Sequence, residues 1–134
     1  MKIVSFERQH LANLKIELAH NQDARAFLEA SPAALDLLCQ SAWSMEDRGE
    51  IVGCGGSVPR SDETTWWIAF TKAALEHPVA FTLCLRHHLQ KCCGAGIHTA
   101  HAQDEVAERW LGALGFAPMG VEEFGMRKVV WVRR

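Results

Sequence analysis

Asp104–Phe116, DEVAERWLGALGF, is the stretch from which the rest of the chain is read. Val106, Trp110 and Leu114 recur at helical spacing, with Ala107 and Leu111 beside them, so one side of a helix is apolar. Gly115 stands where the helix needs a left-handed residue to close. Glu105 and Arg109 are one helical turn apart and can pair on the outer side. Phe116 follows at once and returns an apolar side chain to the core.

Toward the C-terminus, Val121–Phe124 and Lys128–Val132 read as two strands turning near Gly125. On the other side, Ile97–Ala100 is a short strand. Pro78–Lys91 before it is a helix with Phe81, Leu85, Leu89 and Cys92 inward, ended by Gly94 and Gly96. Thr71–His77 reads as a loop. Thr64–Phe70 (TTWWIAF) is β-branched and aromatic, the composition of a buried strand. Pro59–Glu63 is a polar connection. Ala42–Met45 and Glu50–Val58 form a hairpin around Glu46-Asp47-Arg48-Gly49. Within its second strand, Gly53-Cys54-Gly55-Gly56 allows a bulge, a curved strand or close approach of another chain. It lacks the strand–glycine–helix context of a nucleotide fingerprint. Earlier still come a strand at Lys2–Phe6 and a helix at Arg8–Ala19 carrying Leu11, Leu14 and Leu18. A second helix is capped by Asn21 or Asp23 and carries Phe27 and Leu28. A third enters through Ser31-Pro32 and carries Leu35, Leu38 and Cys39.

The 134 residues suffice for one domain spanning 1–134, with 49% apolar and 22% charged residues. A net charge of −2 gives no basic stripe for nucleic acid. No apolar run reaches membrane-spanning length, and MKIVSFERQH lacks a signal-peptide core, so a cytoplasmic location is expected. Five cysteines, an odd number without a CxxC pair, read as reduced and mostly core-packing.

The order is β, helices, β-β-β, α, β, α, β-β. Together with the Arg109-Trp110-Leu111 through Leu114-Gly115-Phe116 helix, it resembles the GNAT acetyltransferase superfamily. Within it, the chain looks most similar to the GNAT-like proteins of short-tailed phages, including internal virion protein A. There a strand ending in Trp-x-x-x-Thr leads to a helix with His and Phe near its start. Trp67 to Thr71, His77 and Phe81 match here. The resemblance implies an α/β (α+β) GNAT-like fold, a twisted, mixed, mostly antiparallel sheet flanked by helices. It implies acetyl-CoA as co-substrate and an N-acetyltransferase activity toward a small-molecule or protein amine. If the chain is phage-encoded, it places it in the host cytoplasm or the virion. The alternative it carries is an inactive GNAT-fold protein that binds virion or host proteins. The open final strand pair could also support a homodimer.

In that family the cofactor lies along the fourth strand and its pyrophosphate on a Gly-rich turn before the next helix. The corresponding residues are Ala69, Phe70, Thr71, Lys72 and His77, with Asp104 at the Asn position of the last helix. The turn Thr71–Pro78 holds no glycine, Pro78 lacks an N–H, and Glu76 would repel phosphate. Lys72 and His77 offer compensating charge. The position of the family's acid Tyr is Leu111, and the chain has no Tyr. His98 and His101, near the end of the fifth strand, are the catalytic candidates, because imidazole titrates where an amine must lose its proton. Read alone, His98 alternates outward and His101 is a solvated loop residue. Cys54 could be a nucleophile or inert packing. His88 and Cys92 form an (i, i+4) ligand pair, but no second pair has zinc spacing, so no metal is expected. Trp66 and Trp67 point to opposite sheet faces, and one could line a cleft.

Overall fold

The computed structural model describes residues 1–14 and 32–134. The strands are β1 (Lys2–Ser5), β2 (Trp43–Asp47), β3 (Glu50–Arg60), β4 (Glu63–Phe70), β5 (Gly96–Ala102), β6 (Ala117–Glu123) and β7 (Met126–Arg133). The helices are α1 (Arg8–Leu14), α2 (Pro32–Cys39), α3 (Lys72–Leu75), α4 (Pro78–Cys92) and α5 (Glu105–Leu114). The expected helix with Phe27 and Leu28, and the first helix beyond Leu14, lie outside the described residues. The seven strands form one sheet in the order β1-β2-β3-β4-β5-β7-β6. β4 and β5 pair in parallel, while β1–β2, β2–β3, β5–β7 and β6–β7 are antiparallel. The chain divides into two compact units, Met1–Val58 with Trp67–Cys84, and Pro59–Trp66 with Leu85–Arg134.

The first unit is built on Leu11, Leu14, Cys54, Trp67 and Ala69, all buried. The glycine run of β3 belongs to this core. A Cβ on Gly55 would lie 2.5 Å from the Trp43 ring, and one on Gly56 would lie 2.9 Å from Trp67 Nε1. Two indoles pressed onto β3 therefore demand bare backbone there. The β2–β3 register also shifts beside the run, between Met45 and Glu46, as a bulge would require, and neighbouring backbone approaches too, Ala69 O lying 3.0 Å from a Cβ on Gly53. Thr71–His77 departs from the expected loop, because Lys72–Leu75 winds into the short α3. A glycine-free run rich in Ala and Leu favours such a turn.

In the second unit, α5 buries Leu111 and Leu114, whereas Val106 is 68% exposed. The buried stripe is thus rotated from the expected Val106-Trp110-Leu114 line toward Leu111. Gly115 adopts φ 121°, its N–H reaching Gly112 O and Leu111 O, and Phe116 N–H donates to Leu111 O at 3.1 Å. That is the glycine-closed helix end expected from Leu-Gly-Phe. Phe116 then packs edge-on to Trp131 at 5.8 Å, and a Cβ on Gly115 would meet the same ring at 3.2 Å. At the other end of the unit, Arg133 donates to Gln90 O (2.7 Å) and Cys93 O (3.1 Å), closing the last carbonyls of α4. Cys93 is buried and Cys92 exposed, reversing the expected inward Cys92.

β6 starts at Ala117, four residues before the expected strand, because Ala117 and Pro118 pair with Val130 and Val129. Pro is tolerated there because β6 is an edge strand. The register breaks between Pro118 and Glu122 around Gly120 at φ 72°. The β6–β7 turn places Phe124 at φ 56° and Gly125 at φ 74°, both left-handed as a two-residue primed hairpin turn requires.

Candidate active site

β5 runs on to Ala102, so His101 is a strand residue and not part of a loop. It stands opposite Lys128 of β7. Its Nε2–H donates to Glu123 Oε1 at 2.9 Å, and its side chain is 7% exposed. Arg60 Nη1 donates to the same oxygen at 3.1 Å. Lys128 Nζ lies 3.5 Å from Glu123 Oε2 and 3.2 Å from Glu63 Oε1. Two carboxylates, two cations and an imidazole thus form one network within the second unit. The hydrogen bonds from His101 and then Arg60, aided by Lys128, hold the Glu123 carboxyl down at about 2. The hydrogen bond to Glu63 pushes the Lys128 ammonium up. With Nε2–H on Glu123, His101 Nδ1 has no hydrogen-bond partner among the described residues. A carboxylate that orients an imidazole in this way makes it a positioned base. Phe124 lies 5.5 Å from the His101 ring and under the Arg60 guanidinium at 5.2 Å.

His98 is placed differently. It is 5% exposed, not outward. Trp66 Nε1–H donates to its Nδ1 at 3.0 Å, and its Nε2–H donates to Gly94 O at 2.8 Å. Both ring nitrogens are spent, and the Trp66 and Trp131 rings lie 6.0 and 6.3 Å away. The physical role of His98 is therefore to satisfy a buried indole and tie down the chain before β5.

Ala69, Phe70, Thr71, Lys72 and His77 belong to the first unit and Asp104 to the second. Ala69 and Thr71 are buried, and Lys72 and His77 are exposed. Thr71 donates from both N–H (2.9 Å) and Oγ1 (3.3 Å) to Val52 O. Ala74 N–H goes to Thr71 O, Glu76 N–H to Ala73 O, and Phe81 N–H to His77 O. Asp104 caps α5, its Oδ1 accepting from Ala107 N–H at 2.8 Å. The parallel pairing of β4 with β5 consists of Glu63–Ile97, Thr64–His98 and Thr65–Thr99. It ends at Thr65, although β4 continues to Phe70.

Cys54 is fully buried and its thiol is pushed up to about 11 by burial, which suits packing and not nucleophilic attack. Cys92 Sγ lies 3.3 Å from His88 Nε2. Among the described residues no group of three or more metal donors gathers. The sequence did not flag Glu123, Arg60, Lys128 or Glu63. Arg60 and Glu123 are 63 positions apart, and only strand order brings them together.

No family model matches the sequence, and no curated protein matches it. Solved structures do match. One is a GNAT-family acetyltransferase from Streptococcus agalactiae, at TM-score 0.70 and 15% identity over 99% of this chain and 95% of that one. Another is the N-acetylglutamate synthase of Neisseria gonorrhoeae complexed with coenzyme A and N-acetyl-glutamate, at 0.70 and 14% over 99% of this chain and 35% of that one. A third is the paia N-acetyltransferase of Thermoplasma acidophilum in complex with coenzyme A, at 0.65 and 9% over 98% of each chain. At these identities the likeness is one of architecture: this chain has the fold of the GNAT acetyltransferases.

Proposed function

We propose that the chain is a GNAT-type N-acyltransferase that moves an acyl group, acetyl in the simplest case, from a thioester donor of the acetyl-CoA type to an amine. The observation that carries this reading is the end of β4–β5 pairing at Thr65 while β4 runs on to Phe70. An extended amide-bearing arm can run along strand backbone beyond the last β4–β5 register pair. Ala69 lies on that length of strand.

The donor supplies the acyl carbon and leaves as a thiol. His101 takes a proton from the attacking ammonium on Nδ1 while Glu123 holds Nε2, and the freed amine attacks the thioester carbonyl. Arg60 and Lys128 keep Glu123 ionised and in place. Lacking a Tyr, the chain leaves the departing thiolate to take, through water, the second proton that the acylated nitrogen loses, and the imidazolium returns its own proton to solvent.

The test is thiol release with acetyl-CoA over a panel of polyamines, amino acids, aminoglycosides and lysine peptides. Amine-dependent release in the wild type, reduced by His101→Gln, supports the reading. Amine-independent or absent release counts against it.

A second reading is favoured by the glycine-free turn: a GNAT scaffold that binds protein, either a virion or host protein or a second copy, through the exposed edge strand β6. It predicts a stable complex or homodimer in sedimentation and no response to acyl thioesters.

A further inference from the structure

The turn that precedes α4 carries a consequence for the donor. An anion is held at such a place by backbone N–H groups that point outward and have no other partner. Here four N–H groups of the turn and the helix start, those of Thr71, Ala74, Glu76 and Phe81, are used within the first unit itself. Thr71 gives its N–H and its hydroxyl to Val52 O. Ala74 and Glu76 give theirs to Thr71 O and Ala73 O, closing α3. Pro78 has none, and Phe81 gives its own to His77 O. Val79 and Ala80 are what remain of the first turn of α4, and the exposed Glu76 carboxylate precedes them. α3 itself is one turn long, too short to build an anion site. Without a glycine in Thr71–Pro78, the backbone cannot open into a nest of adjacent N–H groups without strain. The residues present do not fit a diphosphate.

We infer that the chain recognises its donor by the acyl-pantetheine arm alone, and that the nucleotide diphosphate of coenzyme A contributes nothing to binding. This rests on the acyltransferase reading and narrows it to donors whose common chemistry is an acyl-pantetheine thioester, free or attached to a carrier protein. Lys72 and His77, exposed beside Glu76, act as ordinary surface groups.

Calorimetric titration of the full chain with coenzyme A, phosphopantetheine and pantetheine tests this. A working cradle of charge-assisted hydrogen bonds would favour coenzyme A by about a hundredfold or more. The inference predicts dissociation constants within about tenfold of one another, and the same for Lys72→Ala and His77→Ala. Coenzyme A binding beyond that ratio would overturn the inference and leave the acyltransferase reading standing. Absence of binding by all three at millimolar concentration would overturn that reading and the inference with it. A holo-acyl carrier protein separates the two sources. Binding tighter than free phosphopantetheine assigns the carrier, and equal binding assigns the free thioester; both sustain the inference.

Discussion

Replacing Glu123 with Gln should cost stability in a pH-dependent way. The carboxylate receives His101 Nε2 at 2.9 Å and Arg60 Nη1 at 3.1 Å on one oxygen, and has Lys128 Nζ at 3.5 Å from the other. Its side chain is 27% exposed, so each pairing belongs with partly solvated ion pairs, worth about 0.2–1 kcal/mol. Gln keeps the size and can accept one hydrogen bond, but it loses the charge that serves three donors. The expected loss is about 1–2 kcal/mol at pH 7, the pairs not being fully additive. The sign against pH follows from the depressed carboxyl. Protons bind more tightly in the unfolded chain, at about 4.5, than in the folded one, at about 2. The wild-type advantage is therefore complete above pH 4.5 and fades as pH falls through 2. Urea unfolding of both proteins from pH 7 to pH 2 reads it directly. A difference unchanged across that range would mean that the network does not hold the charge and that His101 is oriented by something else.

Three further substitutions probe separate links. His101→Gln should lower kcat by about 10²–10⁴ with little change in unfolding free energy, as for the loss of a general base; steady-state thiol release measures the first and urea the second. Trp66→Phe removes the donor to His98 Nδ1 between two residues that are 6% and 5% exposed, stranding a buried acceptor at about 1–3 kcal/mol; the nitrogen NMR shifts of His98 should change with it. Gly55→Ala drives a methyl to 2.5 Å from the Trp43 ring and should cost about 1–3 kcal/mol with a shift in tryptophan emission.

Much of the fold is legible in the sequence where local signals agree. The Leu-Gly-Phe helix end works as read because Gly115 is needed both for its backbone angle and for the Trp131 ring above it. The β-branched TTWWIAF run is a buried strand for the reason its composition gives. What misled is equally local. Pro118-Met119-Gly120, which lies before the expected Val121–Phe124 strand, belongs to a broken edge strand, where Pro and Gly are tolerated. The histidines show the larger limit. His98 and His101 are three positions apart on β5, yet one is locked between a tryptophan and a carbonyl and the other faces Glu123. Strand alternation puts them on opposite faces, but which face meets which partner depends on β4, β6 and the chain before β5. Arg60, Glu63, Glu123 and Lys128 were invisible for the same reason. Charged residues near hairpin ends normally read as solvated, and only the strand order joins them.

The most direct test of the central claim is an amide chemical-shift map of the isotope-labelled protein on addition of acetyl-pantetheine. The largest shifts are expected on Trp66–Phe70, the length of β4 beyond its pairing with β5. An unchanged spectrum, or shifts confined to surfaces away from that strand, would contradict it.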